Sequence, residues 1–211
     1  MESELNRIGS QGIIAIIRGQ YSLEQILAIG ETLAGAGLAV LEVTLNTSHV
    51  FTAIGQLVRQ FDGDLLIGAG TVRTAIQLKQ AIDAGAQFTV APNFDGESVA
   101  LALEHDFLHI PGVFTATEAE TAVQAGCSVL KLFPSAMFGP AYLKALRAPL
   151  DDIRFVPTGG ISASNIGDYR RAGAFACGIG SALVSAPGQS MSELAERARA
   201  LRQAWDMAAV R

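Results

Sequence analysis

SVLKLFPS, residues 128 to 135, is a short apolar run closed by Pro134 and Ser135, the composition of a buried strand. Lys131 stands in its middle. An ammonium group taken out of water without a partner is costly, so a lysine inside such a run needs a reason. Two are open. The side chain reaches water or a counter-ion at the strand end, or it lies in a pocket that lowers its pKa. The second makes a nucleophile. A free lysine, with a pKa of about 10.4, is neutral in only about one molecule in 2500 at pH 7, and a drop of roughly three units raises that fraction near a thousandfold.

Outward from this strand the chain repeats one pattern eight times: an apolar strand, a polar or glycine-rich end, then a capped amphipathic helix. The strands read as GIIAIIRG (12–19), LAVLEVTLN (38–46), LLIGAGTV (65–72), QFTVAPNF (87–94), FLHIPGVF (107–114), SVLKLFPS (128–135), IRFVPTGGI (153–161) and FACGIGSAL (175–183). Their spacing suits one β–loop–α–loop unit each. Ser22 with Gln25, Thr74 with Gln77, and Thr115 with Glu118 have capping-box spacing. Asp95 and Ser162 read as N-caps, and Pro140 suits a first helical turn. Gly37, Gly85, Gly126 and Gly173 each follow an alanine just before a strand, where a left-handed helix end needs no Cβ. A short helix over 2–9 precedes the first strand, and a longer one over 190–209 closes the chain. A nucleotide-binding open sheet would carry a glycine fingerprint after its first strand, where this chain has RGQYS. Eight even units predict an α/β fold of the (β/α)₈ (TIM) barrel type, as a single domain over 1–211.

Half of the 211 residues are hydrophobic, enough for one substantial core. Fifteen basic against 20 acidic side chains give a formal charge of −5, which speaks against a general nucleic-acid or anionic-membrane binder. An anionic ligand would therefore need a local site. Only three lysines exist, Lys79, Lys131 and Lys144, so Lys131 is not one of a crowd. Cys127 and Cys177 lie in apolar stretches without CxxC spacing and read as reduced core thiols. The first residues, MESELNRIGSQG, lack a signal-peptide pattern, and no apolar run is long enough to span a bilayer. The expectation is a soluble, cytoplasmic protein.

In this barrel the site lies at the C-terminal ends of the strands. Glu42 interrupts VLEVTLN much as Lys131 interrupts its own strand, and alternation puts Val40, Glu42, Thr44 and Asn46 on one face. Either the two charges form an ion pair inside the barrel, or a carboxylate beside an amine shuttles protons around an imine. PTGGIS (157–162) and GIGSAL (178–183) end strands seven and eight, each running toward an expected helix start. Glycine lets phosphate oxygens approach backbone N–H groups there, although tight turns use glycine too. Arg18 is either a rim arginine or a clamp on a carboxylate or phosphate. Thr71 follows GAG, where a small ligand could come near the backbone. His49, His105 and His109 have no metal-ligand spacing.

LEVTLN, IGAGTV, VAPNF, PGVFTATE, LKLFPS, PTGGIS and GIGSALV, in that order over nearly the whole chain, resemble the family of 2-keto-3-deoxy-6-phospho-sugar-acid aldolases. The resemblance implies a homotrimeric class I aldolase with no metal and no cofactor, its partners a phosphorylated keto acid and pyruvate. It implies Lys131 as the Schiff-base lysine and Glu42 as the general acid/base. Thr71 and Arg18 would hold the pyruvate-derived end, and Pro92 and Phe133 would shape the pocket around the imine. Gly159, Gly160, Gly180 and Ser181 would bind the phosphate. FPSAMFGPAYLKAL (133–146) and the strand-one arginine resemble the galactonate-type enzymes, while EVTL and PTGGIS resemble the gluconate type. Asn46 stands where some gluconate-type enzymes have an arginine. The galactonate epimer is the expectation. Two rivals are a phosphate-binding barrel isomerase, epimerase or synthase, and a non-catalytic sugar-phosphate binder.

Overall fold

A computed structural model describes residues 1–209. Helix α1 (Glu2–Gln11) precedes β1 (Ile13–Ile17). The alternation continues through α2 (Leu23–Gly35), β2 (Val40–Thr44), α3 (Val50–Gln60), β3 (Leu66–Gly70), α4 (Ala75–Asp83), β4 (Phe88–Val90) and α5 (Gly96–Glu104). It runs on through β5 (Leu108–Ile110), β6 (Gly112–Val113), α6 (Ala116–Gln124), β7 (Val129–Leu132) and α7 (Gly139–Arg147). Last come β8 (Arg154–Pro157), α8 (Ile166–Arg171), β9 (Cys177–Ile179) and α9 (Met191–Met207).

All the strand pairings are parallel and fall into two sheets, β5-β4-β3-β2-β1-β9 and β6-β7-β8. The stretch 107–114, expected as one strand, is two. Pro111 separates β5 from β6 because proline has no N–H for the ladder. Its carbonyl still accepts from the Lys131 N–H at 2.8 Å. At the other edges, Thr158 bridges Gly178, and the Phe175 N–H donates to the Phe155 carbonyl at 2.9 Å.

Period-two alternation divides the apolar side chains into two cores. Ile14, Ile16, Val40, Leu66, Phe88 and Val156 belong to an inner one, into which α1 inserts Leu5 and Ile8. Ile13, Ala15, Ile17, Leu41 and Val43 point the other way and pack under the helices. Each buried Leu or Ile contributes about 1.5–3 kcal/mol.

The helix starts follow local chemistry. Ser22 with Gln25 and Thr115 with Glu118 form full capping boxes. Thr74 accepts from the Gln77 N–H, but the Gln77 side chain accepts from the Arg73 N–H, one residue earlier than a capping box requires. Asp95 and Ser190 cap α5 and α9, and Pro140 lies in the first turn of α7. Ser162 opens a turn rather than α8 itself, its hydroxyl accepting from the Ser164 N–H at 3.4 Å. The Asn165 side chain accepts from the Ser162 N–H at 2.9 Å and donates to the Gly160 carbonyl at 2.9 Å, bracing a non-helical turn, and α8 begins only at Ile166. The expected left-handed ends stand at Gly37, Gly85, Gly126 and Gly173, with φ of 82, 91, 100 and 92°. Among the described residues no helix is long and apolar enough to cross a membrane. Cys127 and Cys177 are free thiols, and burial pushes Cys127 up to about 11.

The inner core makes α1 part of the fold rather than an appendage. Ile8 is 0 % exposed, so Ile8→Ala should cost about 2–5 kcal/mol in urea unfolding, and a cost under about 1 kcal/mol would contradict that packing.

Candidate active site

The C-terminal ends of the strands surround a cavity of about 570 Å³. Glu42 enters it from the middle of β2 and Lys131 from β7, both on strands buried along their whole length. Arg18 follows β1, Thr71 follows β3, Pro92 lies beyond β4 and Phe133 follows β7; all four line the cavity. Gly159 and Gly160 line it from the loop after β8, and Gly180 and Ser181 from the loop after β9. Every site residue expected from the sequence is thus at one place.

Glu42 is 2 % exposed and Lys131 7 %. Burial pushes the Glu42 carboxyl up, against the positive charges of Lys131 and Arg18, which pull it down. Burial pushes the Lys131 ammonium down; the Glu42 charge opposes this and the Arg18 charge adds to it. Both groups are driven toward their neutral forms. Among the described residues no ion pair within 4.0 Å joins them, so each side chain keeps a free approach from the cavity. Lys131 Nζ instead stands 5.0 Å from the centroid of the Phe133 ring, within cation–π range.

The end of the SVLKLFPS stretch is fastened to β8. Ser135 Oγ donates to the Leu132 carbonyl at 2.7 Å and accepts from the Thr158 N–H at 3.1 Å. The Ser135 N–H donates to the Thr158 carbonyl at 2.9 Å, and the Tyr169 hydroxyl donates to the Ser135 carbonyl at 3.1 Å. Lys131 and Phe133 are therefore held against the strand that carries Gly159 and Gly160. On β2, the Thr44 hydroxyl lies 2.6 Å from Asn46 Oδ1 and orients that amide beside the cavity. Thr71 has φ of 60°, the left-handed region, which is an outlier for a β-branched residue and turns the chain sharply at the cavity wall.

The loops after β8 and β9 depart from expectation, because neither runs directly into a regular helix. Gly159 and Gly160, with φ of 100 and 68°, lead into the turn braced by Asn165. After β9 the chain makes a single turn in which the Leu183 and Val184 N–H groups donate to the Gly180 carbonyl, and α9 starts at Met191. What these loops offer an anion is backbone N–H groups, not the end of a helix. His109 lies elsewhere: alternation against Leu108 and Ile110 turns it to the outer side of β5, where its Nδ1 is 2.9 Å from the Thr89 hydroxyl and burial lowers its pKa to about 4. Among the described residues no group of three or more His, Cys, Asp or Glu is placed to hold a metal ion. Thr158, Ser162 and Ile16 also line the cavity; Thr158 and Ser162 lie within PTGGIS but were not among the expected ligand contacts, and strand alternation with the register of β8 against β7 is what points to Thr158.

A parallel α/β protein with a buried amine and a buried carboxyl in one cavity is a candidate for carbonyl chemistry. A family model described as "KDPG and KHG aldolase" matches residues 5–197, and the chain belongs to that family, whose members are carbon–carbon lyases. A probable 2-dehydro-3-deoxy-6-phosphogalactonate aldolase of Rhizobium meliloti (strain 1021) is 37 % identical over 195 residues, covering 92 % of this chain and 91 % of the relative. A 2-dehydro-3-deoxy-phosphogluconate aldolase of Treponema pallidum (strain Nichols) is 43 % identical over 148 residues, 70 % of each chain. Among solved structures, one titled native KDPGal superposes with a TM-score of 0.88 at 37 % identity, covering 93 % of this chain and 95 % of that one. The KDPG aldolase of Legionella pneumophila, with pyruvate captured at low pH as a covalent carbinolamine intermediate, superposes with a TM-score of 0.82 at 29 % identity over 98 % of each chain.

The electrostatics make a signed prediction. The reactivity of Lys131 toward an amine-specific acylating reagent should rise with pH about a midpoint below the ordinary 10.5. In Glu42→Gln the carboxylate that holds the midpoint up is gone, so the midpoint should fall further. Peptide mapping of the modified protein across pH measures this; an upward shift in Glu42→Gln would contradict the coupling.

Proposed function

We propose that this chain is a class I aldolase that reversibly cleaves 2-keto-3-deoxy-6-phosphogalactonate to pyruvate and D-glyceraldehyde 3-phosphate through an imine on Lys131. One observation carries the reading: the buried amine of Lys131 and the buried carboxyl of Glu42 line a single cavity, with no ion pair within 4.0 Å between them. A lysine pushed toward its neutral form is a nucleophile at neutral pH, and the carbinolamine of the Legionella relative is the chemistry such an amine would perform.

In this reading the Lys131 nitrogen adds to the C2 ketone, a carbinolamine loses water, and a protonated imine forms. Glu42, directly or through a water, takes the proton of the C4 hydroxyl. The C3–C4 bond breaks, its electron pair flows into the imine to give an enamine, and the C4 oxygen becomes the aldehyde of glyceraldehyde 3-phosphate. Glu42 then returns the proton to C3, and water hydrolyses the imine to free pyruvate and the lysine. Gly159, Gly160, Gly180 and Ser181 hold the phosphate on backbone N–H groups, while Arg18 and Thr71 hold the carboxylate end. Pro92 and Phe133 wall the imine. Fixing both ends of the substrate puts the breaking bond between the two catalytic groups.

β5 and β6 act as one strand kinked at Pro111, and the Thr158–Gly178 bridge joins the free edges, so the two sheets close into an eight-stranded (β/α)₈ barrel forming one domain. The family reading extends to a cytoplasmic homotrimer. Relatives of both epimer types match, and the Rhizobium galactonate relative matches over the greater share of the chain. The higher identity of the Treponema relative favours, as a second reading, the gluconate epimer as main substrate.

Lys131→Arg keeps the charge but cannot form the imine, and should abolish pyruvate release from either epimer with the circular dichroism spectrum unchanged. Retained cleavage would sink the proposal. Ser181→Asp sets a charge against the phosphate and should lower kcat/KM for the phosphorylated substrate at least tenfold, about 1.4 kcal/mol. Exchange of the methyl protons of pyruvate, which carries no phosphate, should be nearly untouched in that variant. An equal fall in both would mean these loops serve the imine pocket or the fold.

A further inference from the structure

Gly70 is the last residue of β3, where the backbone does not require glycine: its φ is not positive, unlike that of ten other glycines in the chain. Glycine within a strand costs conformational entropy and packs nothing, so its presence there has to be explained by what approaches it. What approaches is Glu42. A Cβ on Gly70 would lie 1.7 Å from Glu42 Oε1, 2.4 Å from Cδ and 2.7 Å from Cγ, distances that real Cβ atoms do not reach. The contact is diagonal across the β2–β3 ladder, where Glu42 pairs with Gly68 and Thr44 with Gly70.

We propose that Gly70 is a positioning residue: the space of its absent side chain is the seat of the Glu42 carboxyl. The inference rests on the reading of Glu42 as the acid/base. Glu42 lines the cavity from β2, with its carboxyl in the space directly over Gly70. With glycine at 70 the carboxyl lies against β3, in the volume a Cβ would fill. With any larger residue the carboxyl must leave that seat for another part of the cavity. The placing of the carboxyl then depends on one missing methyl group.

The test is a double-mutant cycle read by exchange of the pyruvate methyl protons in D₂O, with borohydride trapping of pyruvate as the parallel measure of imine formation and thermal unfolding as the check on folding. Gly70→Ala should lose exchange at least tenfold while trapping falls by less. Asp at 42 is one methylene shorter, so the contacts at 1.7 and 2.4 Å are removed and only the one at Cγ, 2.7 Å, remains. Glu42→Asp will itself be slow, but adding Gly70→Ala to it should cost a clearly smaller factor than it does beside Glu42. Equal tenfold losses in both backgrounds would make Gly70 a structural residue only and overturn the proposal, as would full exchange in Gly70→Ala. If Glu42→Gln exchanges normally, the fault lies in the acid/base reading instead, and the proposal falls with its premise. Should Gly70→Ala not fold, Gly70→Ala/Glu42→Asp decides alone: recovery of a folded protein with the exchange rate of Glu42→Asp supports the collision, and an unfolded double variant contradicts it.

Discussion

Two opposite charges buried in one cavity without touching are the constraint on which the rest of this molecule depends. Taking an ammonium and a carboxylate out of water costs several kcal/mol each, and a direct contact would recover part of that while tying up both groups. Glu42 and Lys131 stay apart instead, and burial moves each toward neutrality. That arrangement is expensive as structure and useful as chemistry. It persists because both side chains spring from strands buried along their whole length, which fixes where each group stands in the cavity wall.

The strands do this through their two cores. The inner core, with α1 inserted, fills one end of the space the strands surround and leaves the other end empty enough for a ligand. Glycines then carve that end: Gly70 makes room for Glu42, and Gly160 lets its loop pass close over Ala136. Ser135 fastens the end of β7 to β8, so the lysine and the glycine loop are positioned by one set of hydrogen bonds. Catalytic and binding groups thus sit on rigid elements at fixed separations, which is what a bond-breaking site with two anchored substrate ends requires.

Much of this was legible in the sequence because the signals are local. A lone charge in an apolar strand, a Ser or Thr three residues before a Gln or Glu, and an alanine–glycine pair before a strand each carry their own physical reason. Lys131, Glu42, Ser22 and Thr115 were found in that way. The misses need information that lies across the sheet or beyond one residue type. Pro111 sits in a run whose hydrophobicity continues through it, so the lost N–H does not appear in the pattern. Ser162 looks like a cap, and its carbonyl does accept from the Ile166 N–H, but the turn it opens becomes regular helix only at Ile166. Thr158 and the seat at Gly70 depend on the register between neighbouring strands, which no single stretch encodes.

The central claim is that Lys131 is the imine-forming amine. Incubating the protein with pyruvate near neutral pH, reducing with borohydride and locating the adduct by peptide mass spectrometry tests it most directly. The account predicts one adduct per chain, on Lys131, with Lys79 and Lys144 unmodified under the same conditions. No adduct, or one spread over the three lysines in proportion to their exposure, would contradict it.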